Sequence, residues 1–157
     1  MTDRILFLDI DGVICTDRAY FASGQDKTKT VLRTWDTIGI KLISRLCVDY
    51  DLKVVISSTW RHRYDVPLIL LTHGFVGEFH KDEKTDGKFS SNRGQEIRMW
   101  LDDHPEVTQY IIIDDDDSGI ACTSLEPFHV KTDSFDGILT HHWHQAKKIC
   151  EKFLQTP

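Results

Sequence analysis

The sequence predicts an α/β fold, a central parallel sheet of about five strands flanked by helices. Three observations predict it. Short apolar runs recur at Ile5–Asp9, Leu52–Ser57 and Tyr110–Asp114. They lack the apolar/polar alternation of a half-exposed strand, so they read as strands covered on both faces. Stretches of helical periodicity lie between them, and strands alternating with helices imply parallel pairing through right-handed crossovers.

The elements follow in order. The first strand is Ile5 to Asp9. Gly12 to about Trp35 is polar and irregular, with a turn signal at Ser23-Gly24-Gln25-Asp26. Asp36 is placed to cap a helix reaching about Asp49, in which Ile38, Leu42 and Leu46 fall four apart and Ile43 and Cys47 widen the stripe. After the second strand, Val66 to His73 reads as a short helix ended by Gly74. Phe75 to Phe79 is expected to be a short third strand, and His80 to Asn92 a charged loop. Arg93 to Asp103 reads as a helix with Ile97 and Leu101 inward. Tyr110–Asp114 and Phe128–Lys131 are the last strands, and a helix from about His142 to Leu154 closes the chain.

The chain has 157 residues, 40% hydrophobic and 28% charged, which suits one domain over residues 1–157. Asp3 and Arg4 precede an apolar run too short for a signal core or a membrane span. Cys15, Cys47, Cys122 and Cys150 are scattered without a Cys-x-x-Cys pair, so a reduced, cytoplasmic protein without structural zinc is expected. A net charge of −6 excludes a broad, nonspecific nucleic-acid binder but leaves the gripping of one strand end open.

Three strands end in polar residues of related kinds: Asp9-Ile10-Asp11-Gly12, Ser57-Ser58-Thr59-Trp60-Arg61 and Asp114-Asp115-Asp116-Asp117. In a parallel sheet these ends share one edge, where open α/β sheets keep their ligands. Side chains alternate along a strand, so Asp9 and Asp11 point together if the extended geometry persists. Adjacent carboxylates repel unless a cation binds them or one carries a proton. Carboxylates, hydroxyls and a cation converging on one point suit phosphoryl transfer, which depends mainly on positioning and charge neutralisation.

On these residues the chain resembles the haloacid dehalogenase (HAD) superfamily of Mg²⁺-dependent phosphohydrolases, a Rossmann-like fold. The pattern Asp-x-Asp-Gly-Val, a strand ending in Ser/Thr and another ending in Asp-Asp occur in the family's order. A finer resemblance is to the HAD domain of Swiss Army Knife RNA repair proteins and, more distantly, to the phosphatase half of polynucleotide kinase-phosphatases. It is carried by Ser58-Thr59-Trp60-Arg61, Arg93-Gly94-x-Glu96-Ile97 with Trp100-Leu101, Ile113-Asp114-Asp115-Asp116, and Val130-Lys131-Thr132-Asp133 before Gly137-Ile138-Leu139-Thr140.

The resemblance implies roles. Asp9 would be the nucleophile and form an aspartyl-phosphate. Asp11 would protonate the leaving oxygen and then accept a proton from water. Mg²⁺ would be held by the Asp9 carboxylate, the Asp11 carbonyl and Asp114, with Asp115 as a further ligand or a support. Ser57, with Ser58 as the alternative, would bond a phosphate oxygen. The family usually places a lysine on the phosphate and the nucleophile. Here Arg93 is best placed, and Lys84 and Lys88 compete for the role. Apart from the resemblance, Arg61, His62 and Arg63 follow the second motif and could grip substrate phosphate or backbone, or equally form a solvated loop.

Plainer readings stand beside these. Asp9, Asp11, Ser57 and Ser58 could be strand-end caps and turns, and Arg93 and Arg61 solvated loop or helix-start residues. Asp116 and Asp117 read equally well as a solvated turn. Trp60 reads first as packing and second as a surface for a base or sugar. His141, His142 and His144 lack an acidic or cysteine partner at ligand spacing and read as structural.

The resemblance also bears on substrate. The family inserts cap domains after the first motif or before the third, and neither stretch has room for a large one. Residues 13–35 suffice for a flap. An open site suits a phosphate on something large, such as a nucleic-acid end or a protein, and the finer resemblance implies a terminal phosphate, the 3′ one, on a nucleic acid or a nucleotide. The alternatives are a phosphatase for a small metabolite or a phosphoprotein, and a catalytically silent HAD module that only binds. No membrane partner is expected, and the sequence leaves the oligomeric state open.

Overall fold

The computed structural model describes residues 3–24, 35–87 and 92–155. Five strands form one sheet: β1 (Arg4–Leu8), β2 (Leu52–Ile56), β3 (Glu78–Lys84), β4 (Gln109–Asp114) and β5 (His129–Lys131). All neighbours are parallel, in the order β3-β2-β1-β4-β5. The chain moves outward from β1 to β3, then crosses back to the other side of β1 for β4. The site edge therefore includes the switch point between β1 and β4.

The central strands are apolar because both faces are covered. Leu6 and Leu8 point to one side with Val54, Ile56, Ile111 and Ile113. There they meet α2 (Thr37–Tyr50), α3 (Val66–Thr72) and α5 (Thr140–Phe153), through Ile40, Ile43, Leu70, Ala146 and Cys150 among others. Ile5, Phe7, Val55 and Ile112 point to the other side, against Ile97 and Trp100 of α4 (Arg93–Asp103). Phe7 and Trp100 pack edge-to-face with ring centroids 5.3 Å apart.

Asp36 caps α2 as its position predicts: one carboxylate oxygen accepts from the Ile38 and Gly39 amides at 2.9 and 3.2 Å. Its other oxygen pairs with Arg18 at 2.7 Å. Arg18 belongs to a short helix, α1 (Asp17–Ala22), inside the stretch read as irregular. The Asp36–Arg18 pair ties this part of the flap to the start of α2. The turn signal at Ser23 to Asp26 falls partly outside the described residues.

One strand departs from the sequence reading. The third strand is not Phe75–Phe79 but Glu78–Lys84, so the first five residues of the expected charged loop are sheet. The reason is position: β3 is an edge strand with β2 as its one partner. His80 is buried there while most of its neighbours face solvent, which leaves no apolar run to read. Phe75 instead packs beneath the sheet against Phe79, with rings 5.3 Å apart. The final helix begins at Thr140, two residues early, and the His142 ring accepts the Leu139 amide at 3.1 Å. No helix among the described residues is long and apolar enough to cross a membrane.

Candidate active site

Backbone bonds carry the sheet ladder one residue past the strand ends and fix the site. The Asp9 amide donates to the Ile113 carbonyl at 3.1 Å, the Ser57 amide to Leu8 at 3.0 Å, and the Thr132 amide to Asp114 at 3.1 Å. After Asp9 the chain turns sharply, and the Ile10 carbonyl accepts from the amides of Val13, Ile14 and Cys15. Gly12 takes φ +69 in this turn, and a Cβ there would lie 2.1 Å from an Asp115 carboxylate oxygen. Glycine is required on both counts. The Thr132 hydroxyl, not anticipated from the sequence, donates to the Gly12 carbonyl at 2.6 Å and holds the turn against β5.

Carboxylates gather at this edge. Asp9 is 4% exposed and Asp114 fully buried, and Asp115 joins them: one oxygen from each lies within 4.8 Å of the others. Asp11 is exposed at the mouth. Its carboxylate accepts from the Trp60 indole N–H at 2.9 Å. Burial, and secondarily the Asp9 charge, pushes Asp114 up to about 8 and Asp115 up to about 6. Burial raises Asp9 as well, against the opposing pull of Arg93.

Arg93 is the cation of the cluster. Its guanidinium lies 3.3 Å from Asp9 Oδ1, and its Nε lies 2.7 Å from Asp114 Oδ2. The second contact is an ion pair outside the hydrogen-bonding direction, and Asp114 Oδ2 has no hydrogen-bond donor. Asp9 and Asp114 thus share one guanidinium, with Asp115 beside them. A hard cation with oxygen ligands fits that excess of negative charge and the open lone pair on Asp114. Lys84 ends β3 exposed, opposite Ile56. Lys88 lies outside the described residues.

The hydroxyls divide. Ser58 hydrogen-bonds the Asp9 carboxylate, while Ser57 is fully buried with its Oγ unpartnered.

Arg61 differs from the sequence expectation. Its side chain, 2% exposed, turns inward instead of reaching into solvent. It donates to the carbonyls of Ser57 and Ser58, both at 2.6 Å, to that of Thr85 at 2.8 Å, and to Glu96 at 3.0 Å. A 3₁₀ turn at Thr59–His62 brings it under the end of β2. With four of its five N–H groups engaged by protein, it organises the loop. Glu96 also lies 3.5 Å from Arg93 and so joins the two arginines. The sequence did carry a signal for Glu96: it stands three residues after Arg93 at a helix start, where such side chains meet.

The remaining acids take the plainer reading. Asp116 accepts from the Ser118 amide and hydroxyl at 2.8 and 2.9 Å, and Asp117 pairs with Lys131.

Comparison with known proteins agrees with this geometry. A family model described as the HAD domain in Swiss Army Knife RNA repair proteins matches residues 5–143. No curated protein and no solved structure matches the chain.

Proposed function

The chain belongs to the family of HAD domains in Swiss Army Knife RNA repair proteins, and from that premise we propose that it is a Mg²⁺-dependent phosphohydrolase acting on a terminal phosphate of a nucleic acid, most simply the 3′ phosphate. The observation that carries the reading is the meeting of Asp9, Asp114, Asp115 and Arg93 at the switch point, with Asp11 at the mouth.

In this reading an Asp9 carboxylate oxygen bonds to phosphorus as the ester P–O bond breaks. Asp11 gives its proton to the departing oxygen. Water then attacks the phosphoryl group on Asp9, Asp11 takes its proton, phosphate leaves, and the Asp9 carboxylate is regenerated. Arg93 keeps the nucleophile oriented and offers N–H groups to the phosphoryl oxygens. Ser58 steadies Asp9, and Ser57 supplies an unpartnered hydroxyl beside it. Asp9, Asp114 and Asp115, with the Asp11 carbonyl, would hold the Mg²⁺. When bound, it would neutralise the carboxylates and the charge on the transferring group. Trp60 holds the Asp11 carboxylate from one side.

No large cap intervenes between the motifs, which favours a phosphate carried on a large molecule. The test is phosphate release from a 3′-phosphorylated oligonucleotide and the matching 3′-mononucleotide, with and without Mg²⁺, using Asp9→Asn as the blank. Preference for the oligonucleotide is expected. Equal use of the mononucleotide would point to a nucleotidase, and release that survives Asp9→Asn would remove the proposed chemistry.

A further inference from the structure

Two grooves meet at Asp11. One, of about 320 Å³, runs past Asp17, Tyr20 and Asp115, and among the described residues no basic side chain lines it. The other, of about 550 Å³, is walled by Thr59, Trp60, His62, Arg63 and Tyr64. It shares His62, Arg63 and Tyr64 with a further cavity of about 360 Å³ that reaches Lys84.

The chemistry at Asp11 decides which side a leaving group takes. The oxygen that receives its proton belongs to the sugar that departs, so the nucleoside must extend from Asp11 into one of these grooves. A polyanion is repelled by Asp17 and Asp115 and drawn toward His62 and Arg63. Among the described residues, neither His62 nor Arg63 forms an ion pair with a carboxylate. The basic groove also has an aromatic wall. Trp60 and Tyr64 lie with ring centroids 5.1 Å apart, and Tyr64 is 43% exposed. Trp60 is held on its other sides by Asp11 and by an edge-to-face contact with Trp35 at 5.3 Å. A fixed ring, an exposed ring and an unpaired arginine are the parts from which single-strand binding grooves are made.

We propose that this groove is the subsite for the nucleoside bearing the terminal phosphate, with its base against Tyr64 and Trp60 and the next backbone phosphate on Arg63 and His62. The assignment rests on the phosphatase reading and adds the residues that select the substrate. Arg61 does not line this groove: it lies in the wall of the adjoining cavity, with most of its donors held by the loop.

The experiment compares wild type, Tyr64→Ala and Arg63→Ala on a 3′-phosphorylated oligonucleotide and on p-nitrophenyl phosphate, which has no nucleoside. Each variant is expected to raise the oligonucleotide KM by about ten-fold or more while kcat changes little. The preference for the oligonucleotide over the aryl phosphate should fall by the same factor. Arg63→Ala should also weaken the dependence of KM on salt. Equal losses on both substrates, or an unchanged oligonucleotide KM, would overturn the subsite and leave the phosphatase reading standing. If wild type turns over neither substrate, the phosphatase reading falls. Binding of the labelled oligonucleotide to Asp9→Asn, with and without Tyr64→Ala, judges the groove without turnover. A ten-fold loss supports it, and no loss, or equal competition by a phosphoserine peptide, rejects it.

Discussion

Arg61 and Glu96 meet at 3.0 Å with side chains 2% and 8% exposed, joining the loop after β2 to the first turn of α4. Three carbonyls also accept from the arginine, and Arg93 shares the glutamate. The ion pair thus lies directly under the groups proposed to hold phosphate and nucleophile. Removing either partner leaves a buried charge, which costs ~3–5 kcal/mol. Arg61→Ala and Glu96→Ala are expected to lower unfolding free energy by about that amount, measured by urea titration. A change below ~1 kcal/mol would contradict the buried pairing.

Gly12→Ala combines two penalties. The left-handed backbone costs an alanine roughly 1–2 kcal/mol, and the new methyl group collides with Asp115. The variant should fold with reduced stability and bind Mg²⁺ more weakly, because Asp115 must move. Calorimetric titration with Mg²⁺ gives the readout, and undiminished affinity would place Asp115 outside the metal set.

Gly94→Ala should fail differently. A Cβ at Gly94 would stand 1.9 Å from the Gly119 carbonyl oxygen, a backbone atom that no side-chain rotation can relieve. Helix α4 must then shift and take Arg93 with it. Phosphate release should fall together with thermal stability, whereas an active, fully stable variant would show that the helix start has slack.

The pH dependence without metal has a definite sign. Asp114 and Asp115 titrate near 3.8 when unfolded and at about 8 and about 6 when folded, chiefly through burial. Between those limits the folded state binds more protons, so their contribution is full below the lower value and is lost as pH rises through the folded ones. In EDTA the melting temperature of wild type should therefore fall, relative to Asp114→Asn, from about pH 4 to about pH 8. Added Mg²⁺ should raise it more at pH 8 than at pH 5. Parallel profiles for the two proteins would contradict a burial effect on Asp114 that outweighs its pairing with Arg93.

Asp11→Asn separates proton transfer from metal binding. The proposal gives the metal only the backbone oxygen of this residue, so turnover should drop by about 10²-fold or more while Mg²⁺ affinity stays close to wild type. A large loss of affinity would move the Asp11 carboxylate into the coordination set.

Legibility in the sequence followed burial. β1, β2 and β4 were readable because the core dictates their composition, and Asp9 and Asp114 because they end those runs. Arg93 was readable from its place at a helix start. β3 was hidden because an edge strand needs only His80 inside, and its other positions report solvent rather than sheet. The inward turn of Arg61 was hidden because it depends on where Thr85 and Glu96 fall in space, 24 and 35 residues away. The same holds for Thr132, which reaches Gly12 across 120 residues.

The charged face of β3 has a consequence for life in a crowded solution. A sheet with two open margins invites another chain to dock its own strand there, the first step of aggregation. One margin here carries Lys81, Asp82 and Lys84 on exposed positions, so an incoming strand would have to dehydrate charges. The other margin, β5, is three residues long and offers little to pair with. The protein can therefore reach a high local concentration without its own sheets joining edge to edge.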